Sequence, residues 1–228
     1  MSSKISIIMP VLNEARNLRD TLSRLDLSSN EELIIVDGGS SDKTMDIARE
    51  FTRRVYKTKT GRASVMNYGA RKATGDIFLF FHSDCILPEG GFEIIRETLS
   101  DRSVAAGAFF LGINHPGFCF RLIELGANLR SRFTSLLYGD QGMFLRKEVF
   151  EKVGGFADIP LMEDIEISGR LKKSGRIVFV MPPIKASPRR WLKEGALYTT
   201  IRDWALALSY TVLKVSPDTL IKYYKEVR

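Results

Sequence analysis

Acidic side chains recur in this chain directly after runs of apolar residues. Glu14 closely follows a first apolar run, Asp37 ends a second and Asp84 ends a third. Carboxylates that lie close together repel one another, so such a cluster is favourable where a cation or hydrogen-bond donors lie between them. Together these residues predict a site for a divalent cation and a polar or anionic ligand.

The apolar runs, at 5–12, 32–37 and 76–84, are nearly continuous. This pattern is typical of strands that are covered on both faces in a parallel sheet. Between the runs, apolar residues recur about every 3.6 residues, as in amphipathic helices. The alternation predicts an α/β fold with a doubly wound, mostly parallel sheet flanked by helices. Ligands of such sheets bind beyond the carboxyl ends of the strands, where the acidic residues fall.

The second half of the chain predicts further elements in a less regular order. Strands are expected at 103–111, 142–146 and 176–181, with helices over 118–137 and after Met162. No linker-like segment interrupts the chain, so a single domain with C-terminal helices is expected.

Two long apolar stripes at helical spacing lie in this half. They comprise Phe118, Leu122, Leu125, Leu129, Phe133 and Leu136 in the first, and Leu197, Ile201, Trp204, Leu208 and Val212 in the second. Docking onto the domain's own core is the expected role of both stripes. Contact with a membrane surface is the alternative, because the flanking segments are basic.

The chain carries a formal net charge of +7, which suits anionic partners such as phosphates or lipid headgroups. Nucleic acid is not expected as a partner, because zinc-finger spacings and aromatic RNA-binding signatures are missing. Cys85 and Cys119 are both expected to be core thiols in a reducing compartment. We therefore expect a cytoplasmic protein, with a peripheral position at the inner face of the membrane as the alternative.

The glycines argue against two common nucleotide-binding loops. A dinucleotide-binding turn should follow the first strand, but the segment there reads PVLNEARN, and a Walker loop is also missing. Gly38 and Gly39 come one strand later, directly after Asp37. An acidic strand end followed by two glycines favours a carboxylate that accepts hydrogen bonds from a nucleoside, with close approach of backbone and ligand.

Seven segments, in order along the chain, carry a family resemblance: PVLNE, VDGGSSDKT, GRASVMNYGARKATGD, HSD, GDQGMFLRKEVFEKVGGF, MEDIEISGRL and SPRRW. Together they resemble the family 2 glycosyltransferases, inverting enzymes of the GT-A fold, and in particular a small bacterial single-domain subgroup. The resemblance implies a GT-A-like domain over 1–192, with a nucleotide-binding half at about 1–100 and an acceptor half at about 101–192. A helical extension over 193–228 would pack on this domain.

The resemblance implies that a sugar passes from a nucleotide-diphosphate sugar to an acceptor hydroxyl, on a saccharide, a lipid-linked molecule or a small molecule. For donor binding it implies Pro10, Leu12, Glu14 and Asp37 around the nucleoside, with Arg62, Asn67, His82, Arg190 and Trp191 beside the donor. Asp84 would bind the cation, Mn²⁺ or Mg²⁺, and Asp164 would be the catalytic base. Arg189 or Arg190 would clamp the diphosphate, because arginine pairs bidentately with phosphate.

The chain departs from the family pattern in two segments. The family's DxD motif reads His82-Ser83-Asp84, so an imidazole replaces the first carboxylate. The QxxRW pattern of processive synthases occurs as Ser187 to Trp191, with serine in place of glutamine, and processivity is not expected. A sugar nucleotidyltransferase and an inactive nucleotide-sugar binding module stay open as alternative functions.

Overall fold

A computed structural model describes residues 3–58 and 61–224 of the chain. Residues 1–2, 59–60 and 225–228, which fall inside the ranges assigned above to the domain and its extension, lie outside the described residues. The described residues form eight strands: β1 (Ile5–Val11), β2 (Glu31–Asp37), β3 (Val55–Lys57), β4 (Ile77–Phe80), β5 (Cys85–Ile86), β6 (Val104–Ile113), β7 (Met143–Arg146) and β8 (Arg176–Ala186). They also form ten α-helices: α1 (Leu18–Ser23), α2 (Thr44–Phe51), α3 (Arg62–Lys72), α4 (Gly91–Ser100), α5 (Phe118–Thr134), α6 (Lys147–Lys152), α7 (Glu163–Leu171), α8 (Arg189–Glu194), α9 (Ala196–Thr211) and α10 (Pro217–Leu220).

The first half alternates strands and helices as the sequence predicts. β1 lies between β2 and β4 and is parallel to both, and β3 extends this parallel sheet beyond β2. Ile7 on one face of β1 belongs to the same buried cluster as Leu18 of α1, whereas Ile8 on the other face clusters with Met66 of α3. Helices therefore cover both faces of the sheet, which confirms the doubly wound arrangement.

The second half adds antiparallel neighbours to the sheet, whose order is β3-β2-β1-β4-β7-β6-β8-β5. β7 runs antiparallel to both β4 and β6, and β5 runs antiparallel to β8, while β6 and β8 are parallel. The predicted α/β class and mostly parallel sheet are confirmed. The expected strands at 103–111, 142–146 and 176–181 correspond to β6, β7 and β8, whereas the short strands β3 and β5 were not anticipated.

The apolar stripes of α5 and α9 do not pack on the core as expected. On α5, Phe118 is 75% exposed and Phe133 is 82% exposed. On α9, Leu197 is 74% exposed, and Val212, directly after the helix, is 63% exposed. The expectation that both stripes dock on the domain's own core is therefore wrong for most of their length.

The inward face of α5 carries hydrogen-bonding side chains, which explains why the stripe points outwards. β7 pairs with β6 only around Ala106 and Gly107, so the later part of β6 needs other partners on that side. Asn128 donates a bond of 2.9 Å to the carbonyl of Leu111 and accepts one of 2.8 Å from its amide. Glu124 accepts a bond from the amide of Ile113. These bonds fix the polar side of α5 against β6, because buried backbone N–H and C=O groups need hydrogen-bond partners.

The two cysteines differ in their surroundings. Cys85 is buried as expected, but Cys119 is exposed on α5, which corrects the expectation of two core thiols. Among the described helices, none combines the length and the apolarity that crossing a membrane would require.

Candidate active site

A cavity of about 780 Å³ lies at the carboxyl ends of β1 and β4. Its volume falls within the range of roughly 300–1,000 Å³ that is usual for small-molecule sites. The sequence-predicted site residues that line it are Pro10, Leu12, Glu14, Arg62, His82, Asp84, Asp164, Arg190 and Trp191. The fold therefore brings residues from both ends of the sequence to one place.

Two sequence-predicted residues lie elsewhere in the described structure. Asp37 is fully buried at the end of β2, and its carboxylate accepts bonds from the amides of Gly39 and Ser40, at 3.0 and 3.1 Å. Asn67 bonds both the carbonyl and the amide of Phe156, at 2.8 and 3.0 Å. Neither is among the described residues that line the cavity. Asp37 directly precedes Gly38, which lines the cavity, and the donor contacts expected of Asp37 and Asn67 stay predictions.

One arginine joins two acidic residues that face the cavity. Arg189, at the start of α8, donates from both terminal nitrogens to the carboxylate of Glu14, at 2.7 and 2.6 Å. The same guanidinium lies 3.1 Å from Asp84, and only 24% of the Asp84 side chain is exposed. Partial burial strengthens these charge-assisted contacts. The arrangement leaves a fixed guanidinium beside the carboxylate that the resemblance assigns to the cation.

His82 lines the cavity together with Glu14 and Arg62. Burial, followed by the positive charge of Arg62, lowers the pKa of His82 to about 3, although Glu14 acts in the opposite direction. The ring packs closely on Gly139, where a Cβ atom would lie only 2.7 Å from Nε2. The imidazole therefore supplies a neutral polar surface where a carboxylate would carry a charge.

Asp164 lies in the first turn of α7 and is held by two backbone amides. Gly139 donates to one carboxylate oxygen at 2.9 Å, and Ile165 donates to the other at 2.8 Å. Burial raises the pKa of Asp164, while Arg62 and these amides act against the increase. A carboxyl group whose pKa is raised towards neutrality is a stronger proton acceptor once it is ionised.

Arg62, the first residue of α3, lies next to the acidic first turn of α7, which contains Glu163 and Asp164. Its Nε atom is 3.5 Å from an oxygen of Glu163, which is 2% exposed. Burial raises the pKa of Glu163, and Arg62 partly compensates. Arg62 therefore balances the negative charge of the first turn of α7 at the edge of the cavity.

Asp140 is a cavity residue to which the sequence analysis gave no role. It lies in a 3₁₀ turn at Gly139–Gln141. Burial and the negative charges of Asp164 and Asp84 raise its pKa to about 6, against the opposing charge of Arg130. The GDQ segment supported the family resemblance, but only the fold brings this carboxylate towards Asp84 and Asp164.

Arg130 is a second cavity residue that sequence reasoning missed. Its guanidinium lies 3.6 Å from the centre of the Tyr138 ring, and both residues line the cavity. Within the described part of the chain, neither Arg130 Nε nor Trp191 Nε1 has a hydrogen-bond partner, although both atoms are buried. Buried donors without partners are uncommon in proteins, so a polar ligand in the cavity would satisfy them.

Arg190 and Trp191 connect α8 to the helices around the cavity. Arg190 donates to Asp203 of α9 at 2.8 Å and lies over the ring of Tyr224. Trp191 packs edge to face on Phe120 of α5, with ring centres 6.5 Å apart. These contacts place α8 between the strand ends and α9.

The carboxylates around Asp84 fit a divalent cation. The described residues contain no preformed group of three ligands. Cations such as Mg²⁺ are often held by one or two carboxylates, with the remaining oxygens from phosphates and water. Asp84, with Asp140 near it, can supply such oxygens, and a cation would relieve the repulsion that helps to raise the pKa of Asp140.

Several known proteins resemble the chain in sequence. The model of a family described as glycosyl transferase family 2 matches residues 6–154 of the chain. A dolichol-phosphate mannosyltransferase of Pyrococcus furiosus is 28% identical over 222 residues, covering 87% of this chain and 62% of the relative. The probable glycosyltransferase YdaM of Bacillus subtilis is 26% identical, covering 92% of this chain and 56% of the relative. The chain thus spans less than two thirds of the length of either relative.

Solved structures of glycosyltransferases share the fold. The mannosyltransferase PcManGT from Pyrobaculum calidifontis, in complex with GDP-Man and Mn²⁺, has a TM-score of 0.68 at 17% identity, covering 100% of this chain and 66% of that one. Glucosyl-3-phosphoglycerate synthase from Mycobacterium tuberculosis, in complex with Mn²⁺ and UDP-Glc, has a TM-score of 0.60 at 20% identity, covering 91% and 78%. These similarities confirm the expected GT-A fold.

Proposed function

Because the chain belongs to glycosyl transferase family 2, we propose that it transfers a sugar from a nucleotide-diphosphate sugar to an acceptor hydroxyl, with inversion at the sugar carbon. The observation that carries this proposal is the presence of Asp84 and Asp164 on the walls of one cavity large enough for a nucleotide sugar. The similar structures bind GDP-Man or UDP-Glc together with Mn²⁺, which supports a nucleotide-sugar donor and a divalent cation here.

Asp164 is the proposed catalytic base. Its carboxylate is oriented by the amides of Gly139 and Ile165, and its raised pKa makes it a better acceptor for the proton of the attacking hydroxyl. A single displacement inverts the reacting carbon when the base and the leaving group lie on opposite faces of the sugar. We therefore place the acceptor on the Asp164 side of the cavity and the diphosphate on the Asp84 side.

The leaving diphosphate would be bound by cationic groups of this chain. A divalent cation held by Asp84, with Asp140 near it, would neutralise the negative charge that develops on the diphosphate. Arg189, positioned by Glu14, presents a guanidinium that can donate two parallel bonds to a phosphate. His82 occupies the position of the first carboxylate in the family's DxD motif. Asp84 is therefore the one carboxylate of the HSD segment.

The two halves of the chain would then serve different substrates. Residues 1–100 supply Pro10, Leu12 and Glu14 for the nucleoside, and residues 101–192 supply Asp164 for the acceptor. α9, in the extension over 193–228, contributes Leu206 and Ala207 to the cavity wall. Free thiols at Cys85 and Cys119 fit a cytoplasmic protein, where disulfides are rare.

Release of nucleoside diphosphate tests the proposal. The full chain is incubated with Mn²⁺ and UDP-, GDP- or TDP-sugars, after thermal-shift measurements have selected the nucleotide that stabilises it. We expect metal-dependent release that falls by about 10²–10⁴-fold in the Asp164→Asn variant, with nucleotide binding unchanged. Equal, slow release by both proteins, with nucleotide binding intact, would identify a binding module and overturn the proposed activity.

A further inference from the structure

The outer sides of α5 and α9 form one continuous apolar surface, here called the α5–α9 face. Its exposed members are Phe118, Leu122, Leu125, Leu129 and Phe133 on α5, and Leu197, Tyr198, Ile201, Trp204, Leu208, Val212 and Leu213 on or directly after α9. The helices meet where the Trp204 ring packs on Gly126, since a Cβ atom there would lie 2.9 Å from the ring. Apolar patches of this extent on a protein surface mark interaction sites.

The charges on and around the α5–α9 face are distributed asymmetrically. Glu124, the acidic residue of α5, is 2.9 Å from Arg121 and is only 13% exposed. Asp203, the acidic residue of α9, is paired with Arg190 and Arg202, at 2.8 and 3.2 Å. The acidic side chains are therefore neutralised on the inner side of the two helices.

Exposed basic residues border the α5–α9 face. Arg132 lies on α5, Lys193 lies near the end of α8, and Lys214 follows α9, and all three are exposed, whereas the positive charge of Arg121 is paired with Glu124. An apolar face with Trp, Tyr, Phe and Leu side chains, bordered by Arg and Lys, is typical of helices that lie in a membrane interface. Negative lipid headgroups attract such basic borders, and the attraction falls off within a Debye length of the surface.

We propose that the α5–α9 face docks on an anionic membrane surface. Phe118, Phe133 and Trp204 would enter the boundary between headgroups and acyl chains, and the bordering basic residues would contact lipid phosphates. A second copy of the chain fits the face less well. A two-fold dimer places the same patch against itself, and the basic borders would then face one another.

Docking in this way would place the cavity close to the lipid. The inner sides of the same two helices line the cavity, with Ile123 and Ala127 from α5 and Leu206 and Ala207 from α9. A helix with its side chains is about 10 Å across, so the cavity would lie roughly one helix diameter from the bilayer. The proposal does not depend on the sugar-transfer activity, because it rests on the outer surface alone.

Vesicle sedimentation of the full chain tests the proposal. We expect co-sedimentation with vesicles of phosphatidylcholine and phosphatidylglycerol, weaker binding to phosphatidylcholine alone, and a decrease as salt is added. The Phe118→Ser/Phe133→Ser variant should bind at least about tenfold more weakly, since two buried aromatic side chains are lost from the contact. Arg132→Gln/Lys214→Gln should lose mainly the preference for anionic vesicles.

Leu27→Ser provides the matched control, because Leu27 is an exposed apolar residue between α1 and β2. It should bind vesicles as the unmodified chain does. Circular dichroism and thermal unfolding establish that each variant is folded, which is expected for the substitutions at Phe118, Phe133, Arg132, Lys214 and Leu27 because these side chains are exposed. Trp204 emission should shift to the blue on addition of anionic vesicles in a Trp191→Phe background, in which Trp204 is the remaining tryptophan.

Three results would overturn the proposal. The first is an unmodified chain that stays in the supernatant with anionic vesicles at low salt. The second is binding by Phe118→Ser/Phe133→Ser that equals that of the Leu27→Ser control. The third is a dimer in analytical ultracentrifugation that these two substitutions dissociate while vesicle binding is absent, which would assign the face to a second copy.

Discussion

The side chains of Arg189 and Asp84 form an ion pair in which a guanidinium nitrogen lies 3.1 Å from a carboxylate oxygen. The same guanidinium is held by both oxygens of Glu14. Asp84 is the residue proposed to hold the divalent cation, and a cation bound there would compete with Arg189 for this carboxylate. Arg189 would then bond phosphate oxygens of the donor instead of Asp84.

Replacing Arg189 by glutamine should affect metal and donor in opposite directions. Without the competing guanidinium, half-maximal activation should need less Mn²⁺, because Asp84 is free to bind it. The KM for the donor should rise by about tenfold, because the bidentate phosphate contact is lost. Both values come from initial rates of nucleoside diphosphate release.

Arg19→Gln is the control for this variant, since Arg19 pairs with Glu50 on the surface, at 2.6 Å. Its rates should match those of the unmodified chain. If Arg189→Gln leaves both the Mn²⁺ requirement and the donor KM unchanged, the proposed competition at Asp84 is wrong.

The pH dependence of the reaction should report the raised pKa of Asp164. The base acts in its ionised form, so activity should fall as the pH falls through its pKa. Because burial raises that pKa, the acidic limb of the kcat/KM profile should lie at a higher pH than for an ordinary aspartate. Glu166→Gln, on the same helix but paired with Arg170, should keep the profile. An acidic limb near the usual aspartate pKa would contradict the assignment of Asp164 as the base.

Gly139→Ala should disturb the cavity through two contacts. The new Cβ atom would meet His82 Nε2 at 2.7 Å, and the Gly139 amide that orients Asp164 would be displaced. We expect a loss of about 1–3 kcal/mol in the free energy of unfolding, which is typical of overpacking, and a decrease in kcat. Urea unfolding and steady-state rates measure the two effects.

A second substitution tests whether the clash with His82 causes the loss of stability in Gly139→Ala. His82→Ala in the Gly139→Ala background should restore most of the lost stability, since contacting residues are not additive. Gly169→Ala is the matched control, because a Cβ atom there would meet no neighbour within 4 Å. Equal losses in the single and double variants would mean that the contact with His82 is not the cause.

Thiol labelling should distinguish the two cysteines. Cys119 is exposed and should react with maleimide in the native protein. Cys85 is buried, and burial together with the charge of Asp84 raises the pKa of its thiol, so little reactive thiolate forms. Mass spectrometry should find one label under native conditions and two in urea, and early labelling of Cys85 would contradict the described packing.

The sequence determined the first half of the fold because the relevant information is local. Continuous apolar runs and helical stripes define β1, β2, β4 and the helices between them. The carboxyl ends of these parallel strands must lie at one edge, so the position of Asp84 beside Glu14 followed from order along the chain. Asp164 could be chosen only through the family resemblance, because acidic residues are common in the first turns of helices.

Only the tertiary structure decided which side chains meet across large separations in sequence. Arg189 is 175 residues from Glu14, and no local pattern indicates that a guanidinium should lie between Glu14 and Asp84. Asp140 likewise gained its raised pKa from burial and from neighbours on other elements. Asp37 accepts hydrogen bonds within its own turn, a contact that composition does not distinguish from ligand binding, and its contact with the nucleoside stays a prediction.

The orientation of α5 was also decided by the tertiary structure. Periodicity shows that one side of this helix is apolar, but it does not show which side faces the sheet. Asn128 and Glu124 bond the part of β6 that lies beyond its pairing with β7, and these bonds turn the apolar side outwards. Buried backbone groups that lack a strand partner must be satisfied by side chains, and where such groups occur is set by the assembled sheet.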